Sequence, residues 1–114
     1  MGNENAKEKL FYENVVSEID REIKSGSLKG LGITKSEKSI YVGFYKAGEK
    51  IMGINKSKNF KCFSHHPKAR EIKAEGLEAI SDKFAKQKHY GKVTAIYTGA
   101  SLTIPIQLLA LHQN

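Results

Sequence analysis

Apolar side chains change their spacing several times along this chain, and each spacing predicts a different element. In residues 4–24 they recur every three or four positions, which is the period of an amphipathic α-helix. In residues 39–45 and 50–55 apolar and polar positions alternate, as in strands that bury one face. A short polar turn at residues 46–49 separates these two segments, so together they predict a β-hairpin.

The second half of the chain changes from strand to helix and back. Residues 60–63 predict a third strand, and residues 67–88 return to helical spacing, so they predict a second long helix. Alternation resumes at residues 92–98, which predict a fourth strand. The pair Gly99-Ala100 then predicts a two-residue turn into a last strand at residues 101–111.

These elements place the chain in the α+β class. Residues 1–114 are predicted to form a single α+β domain, with an N-terminal helix, an antiparallel sheet of about five strands, and a second long helix between strands three and four. Residues 25–38, with three glycines among Ser, Lys and Thr, predict a mobile connector. Both helices are expected on one face of the sheet, with their apolar stripes in the core.

Charge is the compositional feature that most narrows the function. Nineteen Lys and Arg residues oppose twelve Asp and Glu residues, which gives a formal net charge of +7. A domain with this excess favours a polyanionic partner, which is a nucleic acid, an anionic membrane surface or an acidic protein.

Other classes of protein are disfavoured by residues that the sequence lacks. A single cysteine cannot form a disulfide within the chain, and the spacing of the Cys and His residues is not that of a zinc site. No apolar run approaches the ~20 residues of a membrane span, and the polar N-terminus predicts no secretory signal. We therefore expect no cofactor and a cytoplasmic place of action.

The candidate catalytic and binding residues lie mainly in residues 60–70, where the predicted third strand meets the predicted second helix. His65 and His66 lie at this junction, and Lys68 and Arg70 follow. Histidine suits acid and base catalysis because its pKa is near neutrality, and a helix start beside two cations attracts phosphate. We expect His65 and His66 to be the acid and base of RNA cleavage, with Lys68 and Arg70 contacting phosphate.

Further candidates are expected to face this junction from the C-terminal hairpin and from the basic turn before the third strand. Hydroxyl groups there would stabilise the charge of a transition state, and cations would contact the RNA backbone. The expected donors are Thr94, Tyr97 and Thr98, and the expected phosphate contacts are Lys92, Lys56 and Lys58.

The remaining reactive residues are assigned structural roles. Cys62 lies in a predicted strand whose apolar and polar positions alternate, and we expect it to be a small buried side chain. His89 is expected at a helix end and His112 near a frayed terminus. The carboxylates of the second helix have no acidic partner cluster, which argues against a two-metal nuclease.

The N-terminal helix, antiparallel sheet, basic surface and His, Lys, Thr and Tyr candidates together resemble the small bacterial RNase toxin domains of the barnase, EndoU, colicin and RelE group. These include the C-terminal tRNase domains of contact-dependent growth inhibition proteins. The resemblance implies metal-independent cleavage of tRNA, an acidic immunity protein that blocks the site, and in some cases a translation factor as helper. It also implies delivery from a secreted or cell-surface parent protein.

Two alternatives remain open beside the ribonuclease. The same junction suits a non-enzymatic protein that binds a nucleotide or another phosphate ligand, as a small phage inhibitor or sponge does. A homo-oligomeric interaction module is the other alternative, because residues 108–111 are strongly apolar and would pair with the first helix across an interface.

Overall fold

Within residues 10–113, six antiparallel strands form one sheet, and three α-helices pack against it. A computed structural model describes residues 10–113. In chain order the elements are α1 (Phe11–Ser25), β1 (Ile33–Glu37), β2 (Tyr41–Lys46), β3 (Glu49–Asn55), β4 (Cys62–Ser64), a 3-10 helix (Pro67–Glu71), β5 (Leu77–Ala79), α2 (Asp82–Gln87), β6 (Ala95–Tyr97) and α3 (Thr103–Ala110). The strands follow the order β1-β2-β3-β4-β6-β5 across the sheet. The α+β class and the antiparallel sheet are therefore confirmed, but this part of the chain has six strands and not about five.

The main core lies between the sheet and two helices, α1 and α3. We call the side of the sheet that these helices cover the inner face and the opposite side the outer face. Val15 and Ile19 of α1 and Leu108 and Leu109 of α3 are buried there. The strands contribute every second side chain, as the pleat requires. These strand residues are Val42, Phe44, Met52, Ile54, Cys62, Ala95 and Tyr97.

The first half of the chain follows the predicted pattern closely. The hairpin of β2 and β3 is confirmed, and the strands predicted at residues 60–63 and 92–98 correspond to β4 and β6. Phe44 pairs with Met52 but Tyr45 pairs with Lys50, so Ile51 is an extra residue and forms a β-bulge. The described part of the predicted N-terminal helix is α1, while residues 4–9 lie outside the described residues.

The second long helix predicted at residues 67–88 is wrong. That segment contains a 3-10 helix, strand β5 and the short helix α2. Gly76 has φ +87°, and a Cβ placed on it would lie 2.8 Å from the backbone of Gly99. The Gly76 carbonyl also accepts a hydrogen bond from the backbone N–H of Thr98. The residues after Gly76 therefore form a strand and not a helix, because they pair with β6.

The last strand predicted at residues 101–111 is also wrong, since this segment forms α3. Pro105 occupies the first turn of the helix, where its missing N–H leaves no hydrogen bond unmade. Ser101 precedes the helix, and its hydroxyl accepts a hydrogen bond from the backbone N–H of Thr103. Gly99-Ala100 is thus a link between β6 and α3 and not a hairpin turn.

Two smaller expectations also need correction. Part of the predicted connector is the edge strand β1, whose side chains are polar except at Ile33. The helices do not all lie on one face, because α2 covers part of the outer face. A small second core forms there from Phe63, Ile80, Ala85, Tyr90, Val93 and Ile96. No helix among residues 10–113 has both the length and the apolar character needed to span a membrane.

Candidate functional site

His66 is held in place where β4 leads into the 3-10 helix. Its ring Nδ1 accepts a hydrogen bond of 3.0 Å from the backbone N–H of Lys68 and so caps that helix. Its backbone N–H donates to the Ser64 hydroxyl, and its carbonyl accepts from the Thr94 hydroxyl at 2.5 Å. Because Nδ1 is the acceptor, the neutral ring carries its proton on Nε2, which is the nitrogen left for a ligand.

The imidazole ring of His112 packs against that of His66. It follows α3, and the centroids of the two imidazole rings are 4.7 Å apart with an interplanar angle of 86°. The Lys46 ammonium donates to the His112 carbonyl. These residues line a cleft of about 430 Å³ together with Lys68 and Glu49, and we call it the histidine cleft. The β2–β3 turn, the start of the 3-10 helix and the end of α3 therefore meet at one place.

The surroundings favour the neutral form of both imidazoles of this cleft. Partial burial lowers the pKa of His112 to about 4, and the nearby His66 and Lys46 add to this effect. Burial, followed by the charge of Lys68, also lowers the pKa of His66. Among the described residues no hydrogen-bond partner is found for the buried Nε2 of His112. The cleft therefore presents imidazole nitrogens beside the ammonium groups of Lys46 and Lys68 and the carboxylate of Glu49.

His65 belongs to the same end of the sheet but follows the outer face. Its backbone N–H donates to the carbonyl of Ile51, the bulge residue of β3. Burial lowers the pKa of His65, and the charges of Lys50 and Lys92 lower it further. His65 is also close enough to His112 for its charge to lower the pKa of that ring. The structure thus brings His65, His66 and His112 into one neighbourhood.

Two of the predicted site residues are engaged in structural hydrogen bonds. Thr94 is only 6% exposed, and its hydroxyl donates to the carbonyls of Ser64 and His66. The Arg70 guanidinium donates to the Ile80 carbonyl at 2.8 Å and to the Asp82 carboxylate at 2.6 Å. Thr94 therefore positions the His66 backbone, and Arg70 ties the 3-10 helix to α2.

Tyr97 and Thr98 lie at the far end of β6 from the histidines. Ser64 pairs with Ala95, whereas Cys62 pairs with Tyr97, so Tyr97 is displaced along the strand. Tyr97 is 2% exposed, and its hydroxyl accepts a hydrogen bond from the backbone N–H of Ser101. It lines a separate cleft of about 560 Å³ beside the link to α3. These two residues are not brought together with His65 and His66.

The predicted phosphate contacts are also spread over the surface. Lys68 lines the histidine cleft, and Lys92 lies 3.6 Å from the carboxylate of Glu49 at its rim. Lys56 forms an ion pair of 3.1 Å with Glu37, and Lys58 lines another open cleft near α1. Only Lys68 and Lys92 of this group share the neighbourhood of the three histidines.

Cys62 is fully buried in the main core, and burial raises the pKa of its thiol. It has the surroundings of a packing residue and not those of a nucleophile. Within residues 10–113 no three His, Cys, Asp or Glu side chains are arranged to hold a metal ion.

His112 is the functional candidate that sequence reasoning missed. A helical signal was present, because Pro105, Leu108, Leu109 and His112 follow the spacing i, i+3, i+4 and i+7 of one helix face. The alternating apolar residues before it favoured a strand, and a strand would have placed His112 at a free end. The helix instead turns this residue back onto the sheet.

Comparisons with protein-family models, with curated proteins and with solved structures give no match to this chain.

Proposed function

We propose that the histidine cleft binds the phosphodiester backbone of RNA and that the protein is a metal-independent ribonuclease. The observation that carries this proposal is the pair of imidazole rings of His66 and His112, 4.7 Å apart in a cleft that Lys46 and Lys68 also line. Cations attract the phosphate, and paired imidazoles supply proton transfer near neutral pH. The toxin resemblance makes tRNA the proposed substrate and an acidic immunity protein the proposed inhibitor.

His112 is the proposed general base. Its ring is unprotonated at pH 7 because the pKa is about 4. A bound phosphate would raise that pKa, so that the ring can take the proton of the ribose 2′-hydroxyl. The 2′-oxygen then forms a bond to phosphorus while the bond from phosphorus to the 5′-oxygen breaks. The products are a 2′,3′-cyclic phosphate and a 5′-hydroxyl, which needs a proton from a general acid.

His66 and His65 divide the remaining roles. The capped Nδ1 of His66 holds the Nε2–H free to donate to a phosphate oxygen, where charge develops in the transition state. His65 is the proposed acid, because it is the third imidazole of this neighbourhood. Burial lowers the pKa of its ring, so this role requires the ring to gain its proton when a phosphate binds. A bound phosphate adds negative charge beside all three rings and raises their pKa values.

Incubation with total tRNA in EDTA tests the proposal. We expect wild-type protein to cut tRNA and His112→Asn to lose at least a hundredfold in rate, in line with the contribution of a general base. His89→Asn is the matched control, because His89 has φ +58°, which Asn tolerates, and does not line the cleft. Uncut tRNA with wild-type protein, or equal cutting by His112→Asn, would refute the proposal.

The second candidate function is a non-enzymatic protein that binds a phosphate ligand in the same cleft. The observation that favours it is the low pKa of all three histidines, which leaves no imidazole predominantly protonated at pH 7 without a ligand. A thermal shift with inorganic phosphate or nucleotide, without cleavage of tRNA, would favour this candidate over the ribonuclease.

A further inference from the structure

Two tyrosine rings lie over a glycine of β2 on the outer face of the sheet. Tyr41 and Tyr45 flank Gly43 on β2, and all three side-chain positions point outward because Val42 and Phe44 are in the core. A Cβ placed on Gly43 would lie 2.8 Å from the Tyr45 ring and 3.2 Å from the Tyr41 ring. Both rings therefore converge over the bare backbone of Gly43. We call Tyr41, Gly43 and Tyr45 the tyrosine platform.

The two rings also interact with one another. The Tyr45 hydroxyl lowers the pKa of Tyr41, and the Tyr41 hydroxyl raises the pKa of Tyr45, so the two groups are near neighbours. Both side chains remain partly exposed and neither belongs to the main core or to the second core. An aromatic surface that is held together but left accessible is suited to stacking.

A lysine lies against the platform. The Lys50 ammonium lies 4.6 Å from the centroid of the Tyr41 ring, and the bulge at Ile51 is what aligns Lys50 with Tyr45. Lys50 and Lys92 are both near His65, which connects the platform to the histidine neighbourhood. Aromatic rings that alternate with cations complement the bases and phosphates of an unpaired nucleic acid strand.

We propose that the tyrosine platform is a stacking site for the bases of single-stranded nucleic acid. The inference deepens the proposed function, because it names how RNA is held beside the cleft that would cleave it. Stacking needs only the flat face of a base, so this site recognises an unpaired strand with little sequence preference. Lys50 leaves the Tyr41 ring and contacts the adjoining phosphate when a base is bound.

Binding of single-stranded DNA tests this inference separately from cleavage, because DNA lacks the 2′-hydroxyl that the proposed reaction requires. The probe is a labelled oligodeoxynucleotide of about eight nucleotides, a length within the usual range for such sites. We expect Tyr45→Ala to raise the Kd about tenfold, as the loss of one stacked base does, and Tyr45→Phe to bind like wild type. An abasic oligonucleotide of the same length and charge should bind wild type and Tyr45→Ala equally.

A pair of glycine variants tests the arrangement of the rings while both tyrosines remain. Gly43→Ala displaces the rings, because its Cβ would meet Tyr45 at 2.8 Å. Gly53→Ala is the matched control, since Gly53 pairs directly with Gly43 and its Cβ would approach Tyr41 only to an ordinary 3.8 Å. We expect Gly43→Ala to weaken binding several-fold and Gly53→Ala to leave the Kd unchanged.

The possible results separate the two proposals. If Tyr45→Ala and Gly43→Ala bind the base-containing probe like wild type, the platform does not stack bases, whether or not tRNA is cleaved. If wild type binds the abasic probe as tightly as the base-containing one, only phosphate is recognised and the stacking site is refuted. If stacking is observed but tRNA stays intact, the platform stands and the ribonuclease fails.

Discussion

Replacement of Thr94 by Val removes one hydroxyl with little change of shape. The hydroxyl donates to the carbonyls of Ser64 and His66, in a position that is 6% exposed. If Thr94 is a positioning residue, its loss destabilises the fold and loosens the backbone at His66. If it is instead a transition-state donor, as the sequence analysis predicted, Thr94→Val removes activity without an equal loss of stability.

The expected loss of stability can be worked from the remaining partners of the two carbonyls. The Ser64 carbonyl still accepts from the Thr94 backbone N–H at 2.8 Å, and the His66 carbonyl still accepts from the Ala69 N–H at 3.0 Å. Neither oxygen is left wholly unpaired, so the cost is about 1–2 kcal/mol and not the larger penalty of an orphaned group. For a chain of this size that corresponds to a fall in Tm of roughly 5–10 °C.

Urea unfolding followed by circular dichroism measures this cost. Thr98→Val is the matched control at the other end of β6, because the Thr98 hydroxyl is exposed and its contact with the Gly76 carbonyl is long, at 3.4 Å. We expect it to change the free energy of unfolding by less than about 0.5 kcal/mol. Thr94→Ser keeps the donor and should recover most of the loss. The reasoning is refuted if Thr94→Val is as stable as wild type, or if both Val variants lose the same amount.

Two further predictions concern pH and backbone conformation. The pKa of His112 is near 4 in the folded protein and about 6.5 when unfolded, so its contribution to stability is complete above pH 6.5 and is lost as the pH falls towards 4. Allowing for solvent screening at this partly exposed ring, urea unfolding should show wild type losing about 1–2 kcal/mol more than His112→Asn between pH 7 and pH 4.5. Gly76→Ala should cost about 2–4 kcal/mol, because φ is +87° and the new Cβ meets the Gly99 backbone. Gly48→Ala, with φ +81° but open space, should cost only about 1 kcal/mol, and equal costs would contradict this explanation.

Local patterning was enough to predict the β2–β3 hairpin, β4 and the α+β class. Apolar positions there alternate without interruption, and a polar turn joins the two hairpin strands. The segment around Gly76 could not be predicted in the same way. Its apolar residues have helical spacing, but the conformation is decided by pairing with β6, which lies about twenty residues later. Long-range pairing of this kind leaves no local signal.

The candidate site was predicted only in part for a related reason. His65 and His66 are adjacent in sequence, so their shared neighbourhood required no knowledge of the fold. His112 reaches them only because α3 is a helix that packs on the inner face. Tyr97 and Thr98 were expected beside the histidines, but antiparallel pairing of β4 with β6 fixes them at the other end. Whether any of these residues takes part in catalysis stays a prediction.

The second core on the outer face is a cluster of buried residues separate from the main core. Ile80, Ala85 and Val93 pack with one another away from the main core, and among the described strands β5 pairs only with β6. We expect this segment to open at a lower free energy than α1 or the β2–β3 hairpin, with Leu77 of β5 as its contact with the main core. When it opens, the Ile80 carbonyl no longer holds Arg70. The 3-10 helix that carries the His66 cap would then lose a support, so we expect local opening of this segment to reach the histidine cleft through Arg70.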